Sequence, residues 1–306
     1  MDFRIFIEPQ QGASYEQQLR VAKSAEQLGF GAFFRSDHYL RMGSGSPLPG
    51  PTDSWVTLAG IARETSTIRL GTLLTSATFR LPGILAISVA QVDQMSGGRV
   101  ELGLGAGWFE EEHAAWGIPF PSTSERFERL EEQLQIIRGI WSTQEGSNFN
   151  YSGSHFTLAD CTALPKPAQA PRPPIVVGGL GPAKTPALAA KYADEYNAPF
   201  ASVDLCRTQF AAVRSAAEKA GRDPEEIVTS VALVACMSND PKVLRERASS
   251  IGRELTELEE SGLSGTSEQI LEKIEMYQAV GVTRIYLQIL DLNDLAHLEE
   301  LADSLL

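Results

Sequence analysis

The sequence predicts an α/β protein that closes into a (β/α)8 TIM barrel, and three observations carry that expectation. Strand-sized apolar runs alternate with amphipathic helical stretches about eight times, the number that closes a parallel barrel. No linker divides the chain, and its 306 residues are close to the ~250 of a typical barrel. An open doubly wound sheet uses the same alternation and is the rival; the count favours closure.

Residues 3–7 read as the first strand. In residues 15–28, Leu19, Ala22, Ala25 and Leu28 fall on one helical face before Gly29 stops the helix. The pattern repeats through a strand at 32–35 with a helix after Ser54, and a strand at 69–74 with a helix after Pro82. The fourth strand, 99–102, precedes a long helix over 124–141. A strand at 175–177 pairs with a helix at 183–193, and one at 195–198 with a helix at 205–220. Residues 227–237 lead to helices after Asp240, and residues 284–289 lead to a last helix over 294–305. Capping residues mark several starts, among them Asp53, Ser122 and Thr266. The one break in rhythm is 144–174, where NFNYSGSHFTL precedes PKPAQAPRPP. This predicts a β-hairpin and a proline-stiffened return to the fifth strand, an insertion beside the barrel mouth within one domain spanning 1–306.

Composition narrows the function. The 26 Lys and Arg against 39 Asp and Glu give a net charge of -13, which works against nucleic-acid or anionic-membrane partners. The mean hydropathy of -0.12 and 43% hydrophobic content fit a globular protein. No apolar run approaches the ~20 residues of a spanning helix, and Asp2, Arg4 and Glu8 interrupt the N-terminal apolar stretch, unlike a secretory signal. A soluble, cytoplasmic protein acting on small molecules is expected. Cys161, Cys206 and Cys236 have no metal-binding or disulfide spacing and read as reduced thiols.

In such barrels chemistry sits on the loops after the strands. Asp37 and His38 open a long Gly- and Pro-rich loop after the second strand, a titratable pair suited to proton transfer. Gly178, Gly179, Leu180, Gly181, Lys184 and Thr185 form a strand-to-helix turn whose amides and helix start suit an anion. It misses the P-loop pattern at Ala183, and Pro182 removes an N–H. Residues 103–109, GLGAGWF, fail as a dinucleotide fingerprint because Trp108 stands at the third Gly position; small residues there leave room for a flat ring. Glu110, Glu111, Glu112 and His113 read as a solvated first helical turn. His155 and His297 carry no role. No G-x-S-x-G or H-E-x-x-H supports hydrolysis.

These motifs together resemble the luciferase-like monooxygenase superfamily, in particular its branch of deazaflavin (coenzyme F420) dependent oxidoreductases. The likeness runs through SDH, TLLTSATFRLPGILA, the long SGGRVELGLGAGWFEEEHAAWGIPF stretch, IVVGGLGPAKTPALAAKYADEYN and GTSEQILEKIEMYQAVGVTRIYLQ. The resemblance implies a flavin-type ring at the C-terminal mouth. Asp37 and His38 would lie beside it, His38 handling a proton and Asp37 fixing its tautomer or touching the ring. Leu73, Leu74 and Thr75 would form a bulge, often with a non-proline cis peptide, behind the ring. Ala106 and Gly107 would flank it, and Gly178, Gly179 and Gly181 would grip the cofactor phosphate, with Lys184 and Thr185 adding to them.

Two departures bear on substrate. The F420-dependent sugar-phosphate dehydrogenases have a Trp shortly after the Asp-His pair and a Glu after the fourth strand's Gly; here Met42 stands in that loop and Trp108 at the Glu position. Glucose 6-phosphate is therefore not the expected substrate. Met42, Trp55, Phe79 and Trp108 are expected to make an apolar pocket. The implied reaction is hydride transfer between the deazaflavin and a C=C, C=N or C=O bond, or from an alcohol. An FMN-dependent monooxygenase and a non-catalytic flavin-binding barrel are the alternatives, and apolar faces on outer helices suggest a homodimer.

Overall fold

The computed structural model describes residues 1–43 and 46–306. Strand β1 (Asp2–Ile7) leads to α1 (Tyr15–Leu28), whose start is fixed by a capping box in which Ser14 and Gln17 exchange side-chain to backbone bonds. β2 (Ala32–Arg35), α2 (Ser54–Glu64), β3 (Arg69–Thr72), β4 (Thr75–Ser76) and α3 (Pro82–Ser96) follow. Next come β5 (Val100–Gly105), the short α4 (Glu110–Trp116) and α5 (Thr123–Ser142). The insertion is the antiparallel hairpin β6 (Phe149–Ser152) and β7 (Thr157–Cys161). β8 (Ile175–Gly178), α6 (Lys184–Tyr192), β9 (Glu195–Pro199), α7 (Val203–Lys219) and β10 (Val228–Met237) resume the alternation. The chain ends with α8 (Pro241–Ser250), α9 (Leu255–Ser261), β11 (Leu263–Gly265), α10 (Ser267–Gln278), β12 (Arg284–Ile289) and α11 (Leu295–Leu305).

Eight of these strands close the expected barrel. The order β1-β2-β3-β5-β8-β9-β10-β12 is parallel throughout, and β12 returns to β1 with Asp2 opposite Arg284 and Ile7 opposite Ile289. The extended run expected at 69–74 is split: β3 ends at Thr72, the Leu73–Leu74 peptide is cis, and β4 pairs with β5. The backbone needs Gly103 beside this break, since a Cβ there would lie 2.0 Å from the Thr72 carbonyl oxygen.

Two environments fill the barrel. Phe6, Ala32, Phe34, Val176, Ala232 and Tyr286 make an inner apolar layer, closed at the N-terminal end by Arg4, which donates to Glu101 (2.8 Å) and Asp2 (2.9 Å). The larger core packs the outer strand faces against the helices. This plug fills the N-terminal end of the barrel. Among the described residues, no helix is long and apolar enough to cross a membrane, and all three cysteines are free.

His297, which the sequence left without a role, is a structural residue. Its Nε2 accepts the Met237 N–H at 3.0 Å, a bond that needs a neutral ring, and burial holds its pKa down to about 4. Below pH ~6.5 the unfolded chain binds a proton that the folded chain refuses, so stability is full above that pH and is lost as pH falls. The lowering from 6.5 to about 4 corresponds to about 3 kcal/mol by pH 4. Denaturant unfolding of His297→Gln across pH 4–7 should show a flatter slope than wild type; parallel slopes would remove His297 from that role.

Candidate active site

A cavity of about 360 Å³ opens at the C-terminal ends of the strands. Its walls come from successive strand ends, as a barrel's geometry requires. Glu8 follows β1, and His38 follows β2; Leu74 and Thr75 come from the break between β3 and β4. Ala106, Gly107 and Trp108 follow β5. Gly178, Gly179, Leu180, Gly181 and the buried Thr185 form the turn from β8 into α6, and Asn197 lies on β9. Gly179 sits at φ 134, a conformation that L side chains rarely adopt.

His38 is held by a residue that sequence reasoning placed in solvent. Its Nδ1 lies 3.0 and 3.2 Å from the two carboxylate oxygens of Glu112, which is fully buried. The same carboxylate accepts the backbone N–H groups of Tyr39 and Leu40, the latter at 3.0 Å. An ionised carboxylate with this many donors keeps the proton of the neutral imidazole on Nδ1. Nε2 is then the nitrogen available to a molecule in the cavity. The rings of Trp108 and Phe109 stand edge-on to the imidazole, with centroids at 5.9 and 6.2 Å, and stack on each other.

The acidic turn at 110–113 is therefore only half solvated, a correction to the sequence reading. Glu110 and Glu111 are exposed, whereas Glu112 and His113 turn inward. His113 is bonded through Nδ1 to the Phe109 carbonyl and through Nε2 to Thr78 Oγ1, both at 2.6 Å.

Four other expected residues lie elsewhere. Asp37 does not orient His38: it is fully buried outside the cavity wall, where Arg80 pairs with it and Thr75 Oγ1 donates to it at 2.9 Å. Arg80 also binds Asp53 and, at 2.6 Å, the Tyr39 hydroxyl, and it lowers the pKa of Asp53 against the burial that would raise it. Trp55 packs in the core and donates its Nε1–H to Thr75 Oγ1 at 3.3 Å. Met42 is half-buried in the loop after β2 and does not reach the cavity. Lys184 turns outward to Ser124 Oγ at 3.0 Å and over the Phe127 ring. Phe79 and Trp108 do line the cavity, and Trp108 is 65% exposed at its mouth.

Comparison with known proteins shows the family and the fold. The family model described as luciferase-like monooxygenase matches residues 1–258. The chain belongs to the luciferase-like monooxygenase family. Within curated proteins, this family member is 35% identical over 176 residues to the F420-dependent glucose-6-phosphate dehydrogenase of Microbacterium testaceum, covering 56% of this chain and 49% of that one. It is 29% identical over 238 residues to the FMNH(2)-dependent dimethylsulfone monooxygenase of Pseudomonas putida, covering 67% of this chain and 64% of that one. The chain thus spans about half to two thirds of the length of the curated relatives it matches. Its fold matches a solved F420-dependent secondary alcohol dehydrogenase in complex with an F420-acetone adduct, with a TM-score of 0.84, 20% identity and 99% and 98% of the two chains covered.

Sequence reading gave no site role to several cavity residues of this luciferase-like family member, among them Glu112, Asn197 and Glu8. A signal for the first was present, because Phe109, Glu112, His113 and Trp116 share the i, i+3, i+4, i+7 face of one helix. Trp116 uses that face to donate to the Tyr39 carbonyl at 2.8 Å, which docks α4 onto the loop carrying His38. Nothing in the local sequence singles out Glu8.

Proposed function

We propose that this chain is an F420-dependent oxidoreductase that transfers a hydride between the deazaflavin and a small apolar organic substrate. The observation that carries the reading is His38, half-buried against Glu112 with Nε2 left to a cavity that also holds the glycine turn at 178–181. When bound, the deazaflavin supplies the hydride chemistry. The residues present fit such a group. Asn197 Nδ2 donates to Ser230 Oγ at 2.8 Å, while Oδ1 is buried without a partner, an acceptor suited to the N–H of a flavin-type ring. Gly178 admits no Cβ without close contact at 2.9 Å to the Asn197 carbonyl and 3.1 Å to Leu74, so the wall at that point is backbone only.

In this reading Leu74 and Thr75 back the ring, and Ala106 and Gly107 flank it. Gly178, Gly179, Leu180, Gly181 and Thr185 hold the phosphate tail through backbone amides and a hydroxyl at the start of α6. His38 Nε2 gives a proton to the substrate heteroatom in reduction and takes it back in oxidation, while Glu112 stabilises the imidazolium. The aromatic walls exclude water. Among the described residues no Lys or Arg lines the cavity, which disfavours a phosphorylated sugar and favours an uncharged ketone, enone, imine or alcohol.

The supporting experiment is fluorescence titration of purified apoprotein with F420 and with FMN, followed by anaerobic assay of an enone, imine and secondary-alcohol panel. Tighter binding of F420 and oxygen-independent turnover are expected. Preference for FMN with oxygen-dependent turnover would replace this reading with the monooxygenase alternative, and tight binding without turnover would favour a non-catalytic barrel.

We also assign the protein to the cytoplasm as a homodimer. Val56 on α2 and Leu81, Ile84 and Ile87 at and along α3 are exposed on neighbouring helices, an apolar face that a second copy would cover. Sedimentation velocity at the monomer mass would contradict the pairing.

A further inference from the structure

Among the described residues, four titratable side chains line the cavity: Glu8, His38, Glu112 and His113. Two of them are fully engaged. Glu112 is sealed from solvent by its bonds to His38 and to the backbone of Tyr39 and Leu40, and both nitrogens of His113 are taken by Phe109 and Thr78. A proton delivered to or taken from His38 Nε2 therefore has no exit through Nδ1, because Glu112 is a dead end. With a substrate filling the mouth, the cavity needs another way to exchange that proton.

Glu8 stands at such a way. It lines the main cavity on one side and, on the other, a separate cleft of about 100 Å³ walled by Gln11, Gln17, Asp291 and Asn293. That cleft is polar and has room for several waters. We propose that Glu8 is the proton relay of this cavity, passing a proton between His38 and solvent through the polar cleft behind β1 and β12. The proposal rests on the hydride-transfer reading above. Burial pushes the Glu8 carboxyl above the ordinary glutamate range, which suits a group that both holds and gives up a proton. The groups that face it are His38, Arg253 and the amides of Gln10 and Gln11, with Asp291 on the cleft wall. Arg253 is itself paired with Glu257 at 2.7 Å.

The balance is simple. Reduction starts from the His38 imidazolium: as the substrate carbon receives the hydride with its electron pair, the heteroatom takes the Nε2 proton, which leaves the neutral imidazole with its proton on Nδ1. Nε2 then takes the proton of the Glu8 O–H through water in the cavity, and the carboxylate left behind is reprotonated from solvent through the cleft. Oxidation of an alcohol runs the same path in reverse.

The test uses the full chain and Glu8→Gln, which keeps the side chain's size and removes its acidity. Infrared difference spectra of the apoprotein should contain a protonated-carboxyl band that titrates above the ~4.3 of an ordinary glutamate and is missing from Glu8→Gln. With F420 and an active substrate, the variant should keep the first-turnover burst and its cofactor affinity but lose about 10-fold or more in steady-state kcat. If Glu8→Gln does not fold, Glu8→Asp serves instead; its band should shift, and kcat should fall less. A band titrating at the ordinary value, or wild-type steady-state kcat in the variant, overturns the relay. If wild type turns over nothing with F420, the function above fails and the infrared titration alone decides whether Glu8 holds a proton as proposed.

Discussion

Replacing His38 with alanine is expected to lower kcat by about 10²-fold or more while leaving F420 affinity within a few-fold. The reasoning is geometric. His38 has one nitrogen fixed to Glu112 and the other available to the cavity, whereas the groups proposed to hold the cofactor come from other strand ends. The side chain is mostly buried but caps no helix and lies outside the apolar clusters of the core. Its removal should therefore cost catalysis rather than folding. Stopped-flow reduction or oxidation of the cofactor, with affinity from fluorescence, separates the two effects. Unchanged turnover would remove His38 from the chemistry.

Glu112→Gln is the more discriminating change, because it keeps volume and most bonds while reversing one. The backbone donors of Tyr39 and Leu40 can still be met by the amide oxygen. The amide nitrogen, however, meets His38 Nδ1 as a donor and forces the imidazole to place its proton on Nε2, the wrong tautomer for accepting a proton from an alcohol. By analogy with the carboxylate that orients histidine in serine proteases, where this change costs about 10⁴ in kcat, a loss of about 10²- to 10⁴-fold is expected. Nitrogen-15 chemical shifts of His38 report the tautomer directly and do not depend on turnover. A variant with wild-type kcat and the Nδ1–H tautomer intact would show that Glu112 only props α4. Truncation to alanine is less informative, since it strands two partly buried N–H groups and confounds stability with catalysis.

How far the sequence foretold this structure differs between fold and site for a physical reason. Barrel strands and helices are encoded locally: the alternation of runs such as 3–7 and 284–289 with amphipathic helices carries the eight-fold closure, and capping residues such as Asp53, Ser122 and Thr266 mark helix starts. The glycines at 178–181 and the small residues after β5 were legible for the same reason, because a backbone needs them where it turns tightly. Side-chain partners were not. Asp37 and His38 are neighbours in sequence, but in the loop after β2 they meet different partners, Arg80 and Glu112, which lie 43 and 74 positions away. Trp55 looked like a pocket aromatic, yet α2 presents it to the core, where its indole N–H finds Thr75. Lys184 looked like a phosphate ligand, yet the start of α6 points it toward α5.

The central claim is that a deazaflavin ring lies in the barrel mouth beside His38, its tail anchored on the turn before α6. A crystal structure of the protein grown with F420 tests it most directly. The account predicts ring density against Leu74 and Thr75, within reach of His38 Nε2, and phosphate density on the amides of residues 178–181. Ring density outside the cavity, or a phosphate bound away from that turn, would contradict it.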